Sequence, residues 1–382
     1  MGILDMFKSK PKLLDKGKYV CPYCFESFDE YMFQCLNKRC DGKGERVFAA
    51  SQGRQAECSA CKAISYTRVC PHCHNHLPDS TLNGENCIIS IVGSRASGKS
   101  HFVGILIHEM MKRIAPEYNK GSFEGFDDSL SRYQRVFESK IYSGYQLDLT
   151  RTAMNNQDVS LPYIFNYKFR TKRNEIKCYT FVFFDTAGED LNDLSTMTTV
   201  NKYICKSSGI IFLLDPMSIQ GVVNQLDDKD WVSRASGGLQ EHDGIADDII
   251  SRVSRLIRNA NGMKEEQKID IPVAAVFSKF DAFEQLVPED ATVRRTSPHC
   301  KKGKFDDADR IAVDSEIASL LDSWGARSFT SQLENNYKTY SYFAVSALGL
   351  DNNPHSGRFD IPHPHRIEDP LLWLMKIGGK LE

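Results

Sequence analysis

The sequence lacks the features that mark membrane proteins and proteins that bind bulk polyanions. No apolar run approaches the roughly 20 residues that a membrane-spanning helix needs, so we expect no membrane partner. Lysine plus arginine (48) nearly equals aspartate plus glutamate (50), and the net charge of −2 would not gather a polyanion. Internal repeats and low-complexity segments are absent, which excludes a repeat array. The 382 residues, 41% of them apolar, allow two or three domains and a sizeable core.

The first residues also lack a targeting signal. Gly2 fits an acylation signal, but Met6 stands where that signal needs serine or threonine. The continuous apolar stretch of a signal peptide is missing as well. We therefore expect a cytoplasmic protein.

Cysteine is abundant, but it is concentrated near one end of the chain. Eight of the twelve cysteines form close pairs, and all eight precede Leu77. Secreted disulfide scaffolds do not cluster in this way beside a larger domain, whereas closely spaced cysteines let both thiolates reach one tetrahedral Zn²⁺. We therefore expect two structural zinc ions rather than redox pairs. The pairs are Cys21/Cys24, Cys35/Cys40, Cys58/Cys61 and Cys70/Cys73.

We consider two arrangements of these pairs around two ions. A sequential arrangement joins the first pair with the second and the third with the fourth, and a crossed arrangement exchanges the second and third pairs, as in RING domains. We favour the sequential one, because each group of four then closes a small ribbon without a long loop. Four thiolates leave no open position on zinc, so these sites should stabilise the fold and take no part in catalysis.

The segment that carries the cysteines is predicted to form tandem zinc ribbons over residues 18–80, after an N-terminal tail of residues 1–17. Basic and acidic residues are intermixed between Gly17 and Ser80, with no arginine-rich face. This pattern weakens a nucleic-acid-binding role, since such a role needs a basic patch. It favours docking of a protein or packing against the rest of the chain.

The stretch Gly93-Ser94-Arg95-Ala96-Ser97-Gly98-Lys99-Ser100 fits the phosphate-binding pattern G-x-x-x-x-G-K-[S/T]. The two glycines let the backbone wrap a phosphate at close range, with amide N–H groups pointing inward. Lys99 would place its charge on the β- and γ-phosphates, and the Ser100 hydroxyl would bind Mg²⁺. An apolar strand-like run precedes the stretch and a helical pattern follows it, which is the context that this motif needs.

Three further strings follow apolar runs that are typical of buried strands. Each string alone is a weak signal, but ligands of open α/β sheets bind outside the carboxyl ends of the strands, and all the strings are placed there. A carboxylate at such an end can hold the Mg²⁺ water shell, and a neighbouring glycine amide can sense the γ-phosphate. The strings are Asp185-Thr186-Ala187-Gly188, Ser278-Lys279-Phe280-Asp281 and Ser346-Ala347-Leu348.

Together with the phosphate-binding loop, these strings resemble the G1, G3, G4 and G5 motifs of Ras-like P-loop GTPases, from about Asn86 to the last residue. The resemblance implies GTP or GDP and Mg²⁺ as ligands, with Ser100 and Asp185 on the metal. It implies that Asp281 accepts hydrogen bonds from guanine, while Lys279 lies along the base. The family's G4 string usually begins with Asn or Thr, and this one begins with Ser278. The implied nucleotide-binding residues are Gly93, Ser94, Ala96, Ser97, Gly98, Lys99, Ser100, His101, Gly188, Lys279, Asp281, Ser346, Ala347 and Leu348.

The chain also resembles the bacterial double-GTPase (DO-GTPase) proteins, through its zinc knuckles before the domain and the helix that begins at Asp369-Pro370. Those proteins are linked to multi-component conflict systems, and the resemblance implies such a setting here. Our leading hypothesis is a regulatory GTPase whose switches alter contacts with a protein partner.

Hydrolysis requires in-line attack of water on the γ-phosphate, with charge stabilised at the oxygens. Lys99 supplies part of that charge. Ras-like proteins place Gln after the D-x-x-G string to orient the water, whereas this chain has Glu189, a catalytic candidate whose carboxylate could accept a hydrogen bond from the water. Its negative charge beside the phosphate predicts either slow intrinsic turnover or another residue in this role. Arg95 is a candidate for a phosphate contact in cis, and it is equally compatible with a position in solvent. Thr150 and Thr152 are both candidates for the switch I threonine.

The alternation of strands and helices predicts an α/β fold, a P-loop NTPase with a mostly parallel six-stranded sheet flanked by helices, over residues 85–382. Two insertions are expected, at about residues 117–160 and 217–244, the second as an exposed loop. We expect the first helix to stop at Pro116 and Tyr163–Arg170 to be an edge strand.

Two other functions compete with a regulatory GTPase. One is a mechanochemical P-loop ATPase or GTPase, in which guanine preference is incidental. The other is a nucleic-acid-binding zinc-ribbon protein that its nucleotide site gates.

Overall fold

The computed structural model describes residues 17–40, 46–49, 53–94, 97–143, 147, 161–184, 197–226, 245–349 and 361–381. Within these residues, seven strands of two to four residues form the cysteine-rich segment, and seven strands of four to eight residues form the central sheet. The first set is β1 (Tyr19–Val20), β2 (Ser27–Phe28), β3 (Met32–Cys35), β4 (Arg46–Ala49), β5 (Ala56–Glu57), β6 (Ile64–Ser65) and β7 (Thr67–Val69). The second is β8 (Asn86–Gly93), β9 (Ser122–Gly125), β10 (Tyr163–Arg170), β11 (Ile176–Phe183), β12 (Gly209–Leu214), β13 (Val273–Phe277) and β14 (Tyr340–Ala344).

Helices cover both faces of the central sheet. They are α1 (Asp79–Leu82), α2 (Lys99–Glu109), α3 (Ala115–Asn119), α4 (Ser129–Tyr133), α5 (Ser139–Ile141), α6 (Met197–Cys205), α7 (Gln220–Val223), α8 (Ile245–Asn261), α9 (Phe280–Phe283), α10 (His299–Lys302), α11 (Asp307–Ser323), α12 (Arg327–Asn336) and α13 (Asp369–Ile377). None of the helices in the described part of the chain is both long and apolar enough to span a bilayer.

The central sheet has the order β14-β13-β12-β8-β11-β10-β9. The first five strands in this order are parallel, and β10 and β9 are added antiparallel at one edge. Strands β8, β12 and β13 lie between parallel neighbours and are apolar almost throughout, as expected for strands buried on both faces. The predicted α/β sheet flanked by helices is therefore confirmed.

The described part of the chain contributes seven strands to the sheet, so the predicted number of six is wrong. The additional strand is β9, Ser122–Gly125, which lies in the first insertion and pairs with β10. Strand β10 is consequently not the edge strand that its alternating pattern predicts. A four-residue strand with one buried side chain carries almost no periodic signal, which is why the sequence did not reveal it.

The helix after the phosphate-binding loop does not stop at Pro116. It continues from α2 through a π-helical turn at Met110–Ile114 into α3, where the proline occupies the first turn. Proline has no N–H to donate, so an ordinary helix would lose a hydrogen bond there. The wider π turn changes the hydrogen-bond register just before the proline and lets the helix pass it.

The second insertion is not an exposed loop where it is described. Its first residues form a 3₁₀ turn at Pro216–Ser218 and helix α7, and Met217, Val222 and Leu226 are buried in the core. Residues 227–244 lie outside the described residues, as do residues 1–16 of the predicted tail.

The cysteines adopt neither the sequential nor the crossed arrangement. The outer tetrad is Cys21, Cys24, Cys70 and Cys73, and the inner tetrad is Cys35, Cys40, Cys58 and Cys61. Strand β3 pairs antiparallel with β7, which returns the chain so that the fourth pair meets the first. The longer loop is affordable in free energy, because each doubling of loop length costs only about 0.6 kcal/mol. The pairing of β3 with β7 thus outweighs the local closure that the sequence favoured.

Candidate functional site

The stretch Gly93–Ser100 joins the end of β8 to the start of α2, as its pattern predicts. A Cβ on Gly93 would lie 2.3 Å from the carbonyl oxygen of Leu213, so only glycine fits this approach of two strands. Gly98 has φ 81°, a left-handed backbone that glycine adopts without steric cost, and it immediately precedes α2. The loop therefore delivers the chain to a helix N-terminus, where free N–H groups and the helix dipole favour an anion.

Lys99 lies across this loop. Its Nζ donates to the carbonyl oxygens of Gly93 at 2.8 Å and Ser94 at 2.9 Å. Ser97 closes the same turn, because its hydroxyl donates to the Ser94 carbonyl at 2.8 Å. The ammonium charge is thus fixed beside the helix N-terminus, where a phosphate would meet both.

Asp281 and Ser346 come together at the ends of two neighbouring strands. The Ser346 hydroxyl donates to Oδ1 of Asp281 at 2.5 Å, and the N–H of Gly349 donates to that hydroxyl oxygen at 3.0 Å. The carboxylate is thereby held in one orientation. Since an ionised carboxylate has about four lone-pair sites, it keeps capacity to accept two N–H groups from a base.

Lys279 has a left-handed backbone, with φ 54°, and its ammonium forms an ion pair with Asp215 at 2.7 Å. Asp215 directly follows β12, and its other carboxylate oxygen accepts the N–H of Met217 at 3.0 Å. No sequence motif had indicated a role for Asp215. Its position between the end of an apolar strand and a proline was the sequence signal that could have identified it as a site residue.

Ser278 occupies the first position of the predicted G4 string. Its hydroxyl and its N–H both donate to the Leu214 carbonyl, at 3.0 and 2.9 Å. The serine therefore ties the ends of β12 and β13 together. After β14, the N–H of Ser346 donates to the carbonyl of His365 at 3.1 Å, which fixes the end of this third strand.

His101 lies in the first turn of α2. Burial lowers its pKa to about 4, and the positive charge of Lys279 contributes. The imidazole is consequently neutral at pH 7. Lys99 and Lys279 supply positive charge at this edge of the sheet.

Several predicted residues lie outside the described residues, so their roles stay predictions. They are Arg95 and Ala96 in the loop, Asp185, Gly188 and Glu189 after β11, and Thr150 and Thr152 in the first insertion. The predicted site residues that the structure does describe lie at one edge of the sheet. The phosphate-binding loop follows β8, and Lys279 and Asp281 follow β13. The third strand, β14, is followed by Ser346, Ala347 and Leu348.

Both cysteine tetrads have the dimensions of a zinc site. A tetrahedron with Zn–S bonds of about 2.3 Å has edges of about 3.8 Å. The sulfur atoms of Cys21 and Cys73 are 3.7 Å apart and those of Cys24 and Cys70 are 3.8 Å apart. In the inner tetrad, the matching distances are 3.6 Å for Cys35–Cys61 and 3.9 Å for Cys40–Cys58. The donors of each tetrad thus fit one Zn²⁺ with no open position.

A third group of possible metal ligands combines His299, Asp309 and Asp369. Arg366 occupies the space between the two carboxylates, since its Nη1 donates to Asp309 at 2.8 Å and to Asp369 at 2.7 Å. The group is therefore a buried ion-pair network, and the guanidinium takes the place that a cation would need.

Comparisons with known proteins give a family model, a relative and a solved structure. A family model described as Double-GTPase 2 matches residues 87–325. The putative ESX-1 scaffolding and assembly protein SaeC of Mycolicibacterium smegmatis is 23% identical over 336 residues, which cover 82% of this chain and 80% of that protein. The signal recognition particle receptor SRb-GDP from Chaetomium thermophilum is 11% identical, with a TM-score of 0.27, over 77% of this chain and 98% of that one. The family model spans well over half of the chain, and the protein therefore belongs to the double-GTPase 2 family.

Proposed function

We propose that this protein binds GTP with Mg²⁺, hydrolyses it to GDP and phosphate, and acts as a regulatory switch toward a protein partner. The observation that carries the proposal is the joint placement of two sites at one sheet edge. The Lys99 loop supplies a phosphate cradle, and the Asp281–Ser346 pair supplies an oriented acceptor for a base. Their strands, β8, β13 and β14, all run parallel, so their carboxyl ends face the same ligand.

The predicted site residues have distinct parts in this proposal. Lys99 neutralises the β- and γ-phosphates, and the Ser100 hydroxyl holds Mg²⁺ together with Asp185. The ion pair with Asp215 keeps Lys279 extended along the plane of the base. The Ala347 N–H donates to the guanine O6, a contact that adenine, with an amino group there, cannot accept.

Turnover in this proposal is slow without an activator. Electrostatic stabilisation of the transferred phosphoryl group is the main catalytic demand, and a glutamate at position 189 adds negative charge where Ras-like proteins have a neutral amide. Arg95 in the loop could offset this charge in cis. A protein partner that supplies a positive group would raise the rate.

The partner role rests on two observations. The name of the mycobacterial relative describes a scaffolding and assembly protein, which indicates protein contacts for that protein. Here the inner zinc lobe, which we define as residues 31–69, exposes Leu36, Ile64 and Tyr66. We propose that this lobe contacts the partner, in the cytoplasm and within a bacterial conflict system of the kind to which double-GTPase proteins are linked.

A competition experiment tests the nucleotide part. The purified chain with Mg²⁺ is titrated with fluorescent GTP, which is then displaced with unlabelled GTP or ATP, and phosphate release is followed in parallel. We expect GTP to displace the probe at concentrations at least about 100-fold lower than ATP, since sites that pair polar groups discriminate strongly. Equal displacement would instead favour the mechanochemical ATPase.

One observation favours a second candidate, a nucleic-acid-binding protein gated by nucleotide. The described exposed charges of the inner zinc lobe are five basic residues against a single acid, Glu57. Between Gly17 and Ser80 as a whole, basic and acidic residues are intermixed. Among the described exposed residues of this lobe, the basic ones predominate. Binding of single-stranded RNA or DNA that weakens steeply with salt would support this candidate. The basic residues are Lys38, Arg39, Arg46, Arg54 and Lys62.

A further inference from the structure

The knuckle of Cys21 and Cys24 has a side chain in an unusual place. Three knuckles share one backbone geometry, in which the residue after the second cysteine has positive φ and donates its N–H to the carbonyl of the first cysteine. These residues are Phe25, Lys62 and His74, with φ of 58°, 62° and 59°. Lys62 and His74 are exposed, whereas Phe25 has 0% exposure.

A phenylalanine at this position requires compensation, because bulky residues rarely adopt positive φ. The compensation comes from an aromatic cluster with Phe184 and Tyr203. The ring of Phe25 lies 5.1 Å from that of Tyr203 and 6.2 Å from that of Phe184, and the last two meet edge to face at 5.5 Å. Strained residues of this kind persist where surrounding contacts fix them, often at functional elements.

Tyr203, on α6, joins two strands of the nucleotide site. The ladder between β8 and β11 ends at the pair Ile88 and Val182. Beyond this point the Tyr203 hydroxyl donates to the carbonyl of Ile89 and accepts the N–H of Phe184 at 3.3 Å. The hydroxyl thus replaces the missing ladder contact between the strand that leads to the phosphate-binding loop and the strand that leads to the D-x-x-G string.

Polar contacts hold the knuckle against the same helix. Glu26 forms an ion pair with Lys202, and Lys206 donates to the Ser27 hydroxyl at 2.7 Å. At the amino end of β8, the Asn86 side chain donates to the carbonyl of Val20 at 2.8 Å. The knuckle is therefore attached both to α6 and to the strand of the phosphate-binding loop.

We propose that Phe25 and Tyr203 are positioning residues of the nucleotide site, and that the outer zinc tetrad holds them in place. This role rests on the proposed GTP binding and concerns the regulation of that binding by zinc. Metal on the outer tetrad fixes the backbone of Phe25, the ring of Phe25 fixes Tyr203, and Tyr203 fixes the separation of β8 and β11. Zinc and nucleotide therefore raise each other's affinity by the same factor, as linkage requires.

A pair of glycine variants tests the positioning role. Phe25→Gly removes the ring but suits the positive φ, so the tetrad should keep its metal, with two zinc ions per chain. His74→Gly makes the same change at the equivalent position of the same tetrad, where the side chain is exposed. We expect Phe25→Gly to weaken GTP binding by roughly 5- to 150-fold, the range typical of coupled sites, and His74→Gly to leave it unchanged.

The reverse measurement needs no variant and has a readout other than activity. Zinc release to a chromogenic chelator is followed in the parent protein, with and without a non-hydrolysable GTP analogue and Mg²⁺. We expect the nucleotide to slow one of the two release phases, and the other phase, from the inner tetrad, to serve as the internal reference. In Phe25→Gly the slowing should disappear.

The outcomes separate the two proposals. If the parent binds guanine nucleotide, but nucleotide changes neither release phase and Phe25→Gly binds GTP as His74→Gly does, the positioning role is overturned and the proposed function stands. If the parent binds no guanine nucleotide, the proposed function fails and takes this inference with it. If Phe25→Gly does not fold, zinc release from the parent alone decides.

Discussion

Replacing Asp281 with asparagine tests the base-reading site most directly. Ser346 donates to Oδ1 of Asp281 and at the same time accepts the N–H of Gly349, so its hydrogen has one direction to point. In Asp281→Asn the amide oxygen should therefore remain on Ser346, and the amide NH₂ should face the base. A donor would then meet the guanine N1–H and 2-amino groups, where the parent offers an acceptor.

The expected loss follows from the two hydrogen bonds. A hydrogen bond to a charged group contributes about 1.5–3 kcal/mol, so losing two costs about 3–6 kcal/mol. At about 1.4 kcal/mol per factor of ten, GTP affinity should fall by at least about 100-fold. Xanthosine triphosphate, which has a 2-oxo group, should bind the variant better than the parent.

Competition binding of GTP, ATP and xanthosine triphosphate to parent and variant measures this change in base preference. The control is Asp270→Asn, the same substitution at an exposed carboxylate that forms an ion pair with Lys338 just before the other end of β13. The control should leave all three affinities unchanged. An Asp281→Asn variant whose preference among the three nucleotides equals that of the parent would refute base reading by this residue.

Three further predictions concern phosphate, metal and pH. Lys99→Ala should abolish measurable GTP binding, since it removes the charge fixed beside the α2 N-terminus; retained affinity in an equilibrium titration would contradict the loop assignment. Elemental analysis should find two zinc ions per chain, and fewer than one would contradict the assignment of a zinc ion to each tetrad. Burial lowers the pKa of His299 to about 4 from its usual 6.5, so the unfolded chain binds the proton first as pH falls. Stability should therefore drop between pH 6.5 and 4 by on the order of 3 kcal/mol from this residue. Denaturant unfolding of His299→Gln should show a shallower pH dependence, and an unchanged slope would mean that His299 titrates normally.

The strands of the sheet core could be predicted because their signal is local. Apolar runs such as Gly209–Leu214 and Val273–Phe277 are buried on both faces, so their residue types alone identify them. The order of the motifs then places the nucleotide site, since each follows a parallel strand. Strand β9 could not be predicted, because it depends on pairing with β10. The continuation of the helix past Pro116 could not be predicted either, because it depends on a π turn.

The cysteine pairing and the role of Asp215 escaped for a related reason. The return of β7 onto β3 is a contact between distant segments, and it overrides the closure preference of neighbouring cysteines. The ion pair between Asp215 and Lys279 joins the ends of two adjacent strands that are 64 residues apart in sequence. Patterns within one segment contain no information about such a pair.

The nested cysteine arrangement has a consequence for the order of assembly during synthesis. The inner tetrad closes within a separation of 26 residues, between Cys35 and Cys61, and is complete before Cys70 has been made. The outer tetrad spans 52 residues, from Cys21 to Cys73, and encloses the finished inner lobe. Its docking surface, α6, emerges from the ribosome more than 100 residues later. The inner tetrad should therefore bind metal early on the nascent chain. The outer knuckle can dock only after α6 has been synthesised.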